Sequence, residues 1–122
     1  MNKILYLEFQ GLPPTTNNMY RNSGSRRYKR QEVADWQEDI ANLLSEQWSS
    51  NIPYRDRATL TVNFTAQDKR NWDIDNRLKA LIDCLVMAGV IKNDNQIDIL
   101  HVTRKKGTEN KTQIILNGVA GR

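Results

Sequence analysis

Apolar and polar residues alternate along several stretches of the chain, and this period of two is typical of half-buried strands. The alternation is clearest over 58–65, where β-branched residues are frequent. A shorter apolar stretch near the N-terminus ends at the turn 11–14, because its prolines cannot continue a ladder of hydrogen bonds. Two more stretches, 97–103 and 112–116, are separated by the polar residues 104–110, and we expect these two strands to form a hairpin.

Two other stretches repeat their apolar residues every three or four positions, which predicts helices with one buried face. The first helix is expected from about Lys29 to Trp48. The second follows Asp73, a predicted N-cap, and ends near Gly89 as a C-cap. The polar residues between the first strand and the first helix predict a loop. The predicted buried face of the second helix consists of Ile74, Leu78, Leu81, Ile82, Leu85 and Val86.

The order β-α-β-α-β-β predicts the fold class α+β, as a single small domain over residues 1–122 with a four-stranded mixed sheet covered by two helices. A length of 122 residues with 39% hydrophobic residues suits one such domain. The N-terminal stretch meets a charge too early for a signal peptide, and no stretch approaches the roughly 20 apolar residues that span a bilayer. We therefore expect a cytoplasmic protein with no membrane partner.

The single cysteine, Cys84, limits the chemistry of the protein. One cysteine excludes an internal disulfide and a cysteine-based zinc cluster, but it leaves a catalytic thiol or an intermolecular bridge open. Cys84 falls in an apolar helical stretch, which favours a packed thiol.

The distribution of charge points to a polyanionic partner and to a metal ion. The formal net charge of +4 favours such a partner, although solvated lysines alone would also explain it. Carboxylates repel one another and repel phosphate, and a bound divalent cation would offset both repulsions. Basic residues gather near predicted turns as Arg21, Arg26, Arg27, Lys29 and Arg30, as Lys69 and Arg70, and as Arg104, Lys105, Lys106 and Lys111. Acidic residues gather between them as Asp68, Asp73, Asp75 and Asp83, with Asp94 shortly after.

The acidic stretch has a structural and a catalytic explanation. Asp73 as an N-cap and Asp75 paired with Lys79 four residues later would stabilise a helix, but this explanation leaves Asp94 unused. Phosphodiester hydrolysis would use all four residues, because Mg²⁺ prefers carboxylate oxygens and a nearby lysine stabilises the transition state. Residue types alone leave both explanations open.

The order of these residues resembles the RusA-type Holliday-junction resolvases common in phage and prophage genomes. The resemblance covers about residue 7 to residue 105, and the ordered combination is more specific than Asp-x-Asp-Asn alone. The residues that carry it are Asp73-x-Asp75-Asn76, Lys79, Asp83, Ala88-Gly89 and Asp94-x-Gln96, together with Pro13-Pro14-Thr15-Thr16-Asn17-x-x-Tyr20, which is similar to the family's opening loop.

The resemblance implies metal-binding catalytic acids at Asp73, Asp75 and Asp94 and a catalytic lysine at Lys79. It also implies a homodimer that needs Mg²⁺ or Mn²⁺ and makes paired nicks in a four-way DNA junction, in a bacterial host or a phage-infected cell. A homodimer suits the near two-fold symmetry of such a junction. Asn93 departs from the acidic pair often found at this point of the family, which leaves a fourth ligand open.

The basic residues are candidates for phosphate contacts, which are independent of DNA sequence and sensitive to salt. Solvated surface charge is the alternative for each of them. Trp72 either stacks on an unpaired base or covers the core. Two rival functions also remain, a non-catalytic basic DNA-binding phage accessory protein and a general branched or single-strand DNA nuclease. The predicted DNA-binding residues are Arg70, Arg77, Lys69, Arg26, Arg27, Lys105 and Lys106.

Overall fold

The computed structural model describes residues 5–16, 19–24, 26–48, 50, 52–68 and 72–119. Short 3-10 turns at Ile74–Arg77 and Asp94–Gln96 precede and follow the second helix. None of the helices in these ranges has the length and apolar character needed to cross a membrane. The elements in chain order are β1 (Leu5–Gln10), β2 (Tyr20–Ser23), β3 (Arg26–Lys29), α1 (Gln31–Trp48), β4 (Ala58–Ala66), α2 (Leu78–Met87), β5 (Ile97–Lys106) and β6 (Lys111–Gly118).

The main sheet has the strand order β1-β6-β4-β5. β4 runs antiparallel to β6 and parallel to β5, so the sheet is mixed. The strand lies inside the sheet because its alternate side chains Leu60, Val62 and Phe64 are completely buried. The prediction of an α+β fold with a four-stranded mixed sheet and two helices is confirmed.

The predicted hairpin between the last two strands is wrong. β4 lies between β5 and β6, and β5 extends through Lys106 into the stretch expected to be a loop. Burial explains the arrangement, because β6 buries Thr112, Ile114 and Leu116 and pairs with a strand on each side. β5 is mostly exposed and forms an edge of the sheet.

The predicted loop before the first helix contains a small hairpin of β2 and β3. Its side chains are largely exposed, so no alternation of apolar residues marks the two strands in the sequence. Gly24 supports the turn with a φ of 63°, in the left-handed region that glycine adopts easily. The guanidinium of Arg27 lies 4.1 Å from the centre of the Tyr20 ring on the opposite strand.

The two helices pack on the face of the sheet that carries Leu60, Val62 and Phe64. α2 begins at Leu78 rather than directly after Asp73, because the residues between them form a 3-10 turn with three residues per turn. The predicted buried face is therefore wrong at Ile74, which is 39% exposed, and at the last turn of the helix, where Val86 is 37% exposed. Leu78, Leu81 and Leu85 are buried as predicted, and Ile82 packs against the core.

The end of α2 matches the prediction. Gly89 has a φ of 75° and follows the last helical residues, as a left-handed C-terminal glycine does. Cys84 is completely buried in this helix, and burial raises its pKa to about 12. A buried thiol of this kind is a poor nucleophile, so the structure favours the packed thiol.

Candidate active site

The acidic segment before α2 is built on the 3-10 turn Ile74–Arg77. Asp73 has an extended backbone, and its carbonyl oxygen accepts the backbone N–H of Asn76 at 3.0 Å. Asp75 lies in the turn itself, and both carboxylates are exposed. Lys79 is exposed in the first turn of α2. The segment from Asp73 to the first turn of α2 thus presents two acids and a lysine to solvent within a few residues of one another.

The structure does not show the helix-stabilising contacts that would explain Asp73, Asp75 and Lys79 without a ligand. The Asp73 side chain makes no capping hydrogen bond, which corrects the prediction that it stabilises the helix as an N-cap. Among the described residues, the ion pairs do not include one between Asp75 and Lys79. The local fold therefore makes no use of these carboxylates, which leaves their oxygens free to bind a ligand.

The opening loop holds the acidic segment in place from the other end of the sequence. The hydroxyl of Thr16 donates to the carbonyl oxygen of Asn76 at 2.9 Å. Arg77 donates from Nη1 to the carbonyl oxygen of Pro13. The two sequence motifs that carry the family resemblance are thus in direct contact, although sixty residues separate Thr16 from Asn76.

The turn that carries Asp94 is fixed by a buried glutamine. Gln96 is 5% exposed, and its Oε1 accepts the backbone N–H groups of Lys92 and Asn93 at 2.7 and 2.8 Å. Its Nε2 donates to the carbonyl oxygens of Tyr54 and Asp56 at 2.7 and 3.1 Å. The side chain of Asn93 accepts the backbone N–H of Asn95 at 3.1 Å and completes a capping box. Asn93 therefore has a structural role at the position where the family often has an acid.

Asp94 lines a cavity of about 380 Å³ beside the C-terminal half of α2. The cavity also contains Asp83 and two lysines, Lys29 and Lys92. The ammonium of Lys29 donates to Oε1 of the fully buried Gln37 at 2.6 Å, which fixes its position. Sequence alone does not single out Lys29 or Gln37 as site residues, because their contact depends on the β2–β3 hairpin, which no pattern in the sequence reveals.

The three predicted metal ligands suit Mg²⁺ by chemistry, but the described residues do not bring them into one cluster. Asp73 and Asp75 precede α2, whereas Asp94 follows it and lines a cavity with Asp83 and Met87 of that helix. In the described ranges, no three His, Cys, Asp or Glu side chains lie close enough to hold one metal ion. The described part of one chain thus holds no three-residue cluster at these acids, and their role as metal ligands stays a prediction.

The predicted DNA-binding residues fall in three places. Arg77 is half-buried beside the acidic segment, and burial lowers the pKa of its guanidinium. Arg26 and Arg27 are exposed on β3, and Lys105 and Lys106 are exposed at the end of β5. Lys69 and Arg70 lie outside the described residues.

Trp72 covers the core, which was one of its two expected roles. It is partly buried and packs on Phe64 in a T-shaped contact with ring centres 5.6 Å apart. Arg104, which falls in a predicted loop and was not among the predicted DNA-binding residues, also contacts this ring. The strand register that brings Arg104 there, opposite Phe64, follows from the parallel pairing of β4 and β5.

Comparison with known proteins gives a family match over most of the chain. Residues 11–117 match the family described as endodeoxyribonuclease RusA. The chain is 37% identical over 99 residues to the crossover junction endodeoxyribonuclease RusA of Aquifex aeolicus, which covers 79% of this chain and 77% of the relative. It is 32% identical over 92 residues to the crossover junction endodeoxyribonuclease of Enterobacteria phage HK97, which covers 75% of this chain and 76% of the relative.

Proposed function

The chain belongs to the RusA family of endodeoxyribonucleases, and from this membership we propose that it resolves four-way DNA junctions as a Mg²⁺-dependent homodimer, with Mn²⁺ as a substitute. The reaction is hydrolysis of one phosphodiester bond in each of two equivalent strands. A two-fold symmetric pair of subunits supplies one site for each strand.

One observation carries the proposal. The family match includes Asp73, Asp75, Lys79 and Asp94, and the fold of this chain gives none of these four side chains a hydrogen bond or an ion pair among the described residues. Exposed acids that lie near one another repel each other, and without hydrogen bonds or ion pairs they add nothing to the stability of the fold. Binding of a ligand by these four side chains explains why the sequence carries them.

The roles of the residues follow from their chemistry. The carboxylates of Asp73, Asp75 and Asp94 are the hard oxygen ligands that Mg²⁺ prefers. The chemistry that Mg²⁺ supplies when bound is a lower pKa for the attacking water and neutralisation of the leaving oxygen. Lys79 adds a positive charge near the phosphate, where the negative charge grows in the transition state.

A homodimer also supplies what a single chain lacks. In a two-fold interface a residue of one subunit meets a different residue of the other. We propose that Asp73 and Asp75 of one subunit act together with Asp94 of the partner subunit. The separation of these acids along α2 supports this arrangement, since the described part of one chain holds no three-acid cluster.

The experiment that tests the function is cleavage of a labelled synthetic four-way junction and a matched linear duplex, with Mg²⁺ or with EDTA. Wild type should make paired nicks in the junction only when Mg²⁺ is present. Asp75→Asn should bind the junction and lose cleavage by roughly a thousandfold, since it removes a ligand of the proposed metal. Asp39→Asn, which neutralises an exposed acid of α1, is the charge-matched control and should cleave like wild type.

Two rival functions are outcomes of the same experiment. The lack of a three-acid cluster within the described part of one chain favours a non-catalytic DNA-binding protein over a monomeric nuclease. Tight binding without cleavage in any divalent metal would establish that rival. Equal cleavage of junctions, flaps and single strands would instead indicate a general nuclease.

A further inference from the structure

Two arginine side chains share the ring of Trp72. The guanidinium carbons of Arg77 and Arg104 lie 4.5 and 4.9 Å from the ring centre. Arg104 lies opposite Phe64 in the parallel pair of β4 and β5. The side chains of Arg104 and Phe64 therefore project from the same face of the sheet, the face on which Trp72 packs. An aromatic ring attracts each cation, but two like charges at one ring repel each other. An anion bound to both guanidinium groups would offset that repulsion.

Neither arginine forms an ion pair with a carboxylate of the described residues, although Asp68 lines the cavity beside Trp72 and Arg77. Arg77 donates to the carbonyl oxygen of Pro13, and Arg104 donates to the carbonyl oxygen of Trp72 itself. The Nε of Arg77 is buried without a hydrogen-bond partner among the described residues. Arg57, by contrast, is paired with Asp98 at the other end of β4. Apart from the buried Nε of Arg77, the guanidinium N–H groups that these two hydrogen bonds leave unused remain available as donors.

We propose that Arg77 and Arg104, held by the ring of Trp72, form a clamp that binds one phosphate of the DNA strand beside the acidic segment. The inference rests on the proposed function, because Asp73 follows Trp72 directly and the clamp would present the strand to the acids. A guanidinium offers a planar fork of donors that matches phosphate oxygens. Stacking on the ring fixes this fork before DNA arrives, which reduces the conformational entropy lost on binding.

The surroundings of Trp72 favour a phosphate over a stacked base. The ring already contacts two guanidinium groups and Phe64 and is partly buried in the core. It therefore does not offer a free aromatic surface of the kind that proteins use to stack unpaired bases. Arg77 and Arg104 contact the DNA in this proposal, and Trp72 is a positioning residue.

The test is the salt dependence of junction binding in EDTA, where cleavage does not interfere. Removing one charged group that binds a phosphate lowers the slope of log affinity against log salt by about one. Arg104→Gln should lower the slope by about one and weaken binding about tenfold at low salt. Arg104→Lys should keep the slope, because the charge remains, and bind more weakly than wild type, because the planar fork is gone. Arg55→Gln removes an exposed charge before β4 and should match wild type.

Two results would overturn the clamp. One is a slope for Arg104→Gln equal to that of Arg55→Gln, and the other is an affinity for Arg104→Lys equal to that of wild type. Thermal unfolding of each variant, measured alongside, should show a folded protein at the temperature of the binding assay, since Arg104 is an exposed residue of the edge strand β5. Failure of the clamp is distinguishable from failure of the function, because in the first case wild type still prefers the junction to a linear duplex.

Discussion

The two ends of α2 present acids in different ways. At the C-terminal end, Asp94 stands on a turn whose backbone is fixed by the buried side chain of Gln96. At the N-terminal end, Asp73 and Asp75 stand on a 3-10 turn that is held through its backbone by the opening loop. One end is anchored by an interior hydrogen-bond network, and the other by a contact between two surface segments. The first end should therefore dominate stability, while the acids of the second should matter for chemistry alone.

The largest effect on stability is expected at the buried anchor. Gln96→Ala leaves two N–H groups and two carbonyl oxygens without the amide that now satisfies them, and should lower the free energy of unfolding by about 3 kcal/mol. Gln47→Ala is the control, since Gln47 also makes two hydrogen bonds to the backbone, of Glu8, but at an exposed site where water can replace them. Urea unfolding measures both. Equal losses in the two variants would contradict the account of the Asp94 turn.

A smaller effect is expected where the opening loop meets the acidic segment. Thr16→Val keeps the shape of the side chain and removes the hydrogen bond to Asn76, so it should cost about 1 kcal/mol and reduce junction cleavage. Thr15→Val is the matched control, because the side chain of Thr15 makes no hydrogen bond in the described part of the chain. A Thr16→Val protein that cleaves at the wild-type rate would show that this contact does not position the acids.

The smallest effect on stability is expected from the acid itself. Asp73→Ala should change the free energy of unfolding by less than about 0.5 kcal/mol, because the side chain does not cap the turn. Asn93→Ala at the opposite end of α2 removes a side chain that does cap its turn and should cost about 1 kcal/mol. Chemical unfolding of the pair measures the difference. A larger loss for Asp73→Ala than for Asn93→Ala would restore the structural explanation of the acid.

Burial decides which elements of the fold could be predicted from the sequence. The periods of apolar residues are enough for both helices and for β4, because burial of one face dictates those periods. The pairing of β5 was not predictable, since strands adjacent in sequence usually form hairpins. Here β6 instead lies between β1 and β4, and β5 pairs with the other edge of β4. The β2–β3 hairpin left no pattern, because its side chains are exposed.

The candidate site shows the same limit. The order of Asp73, Asp75, Lys79 and Asp94 in the sequence identifies them as candidates, but nothing in that order indicates that the described part of one chain leaves the acids without a common cluster. Gln96 stands out in the sequence only as part of a motif, and its four hydrogen bonds depend on a distant loop. Arg104 could not be predicted, because its contact with Trp72 follows from the parallel register of β4 and β5.

The most direct test of the account is to mix two inactive subunits. Asp75→Asn and Asp94→Asn chains with different affinity tags would be co-expressed, and the mixed dimer would be isolated and assayed on the four-way junction with Mg²⁺. If each site combines Asp75 of one subunit with Asp94 of the other, one site of the mixed dimer keeps both acids. The account therefore predicts that each pure variant is inactive and that the mixed dimer nicks one strand of the junction. A mixed dimer as inactive as the two pure variants, or a wild-type chain that cleaves as a monomer, would contradict it.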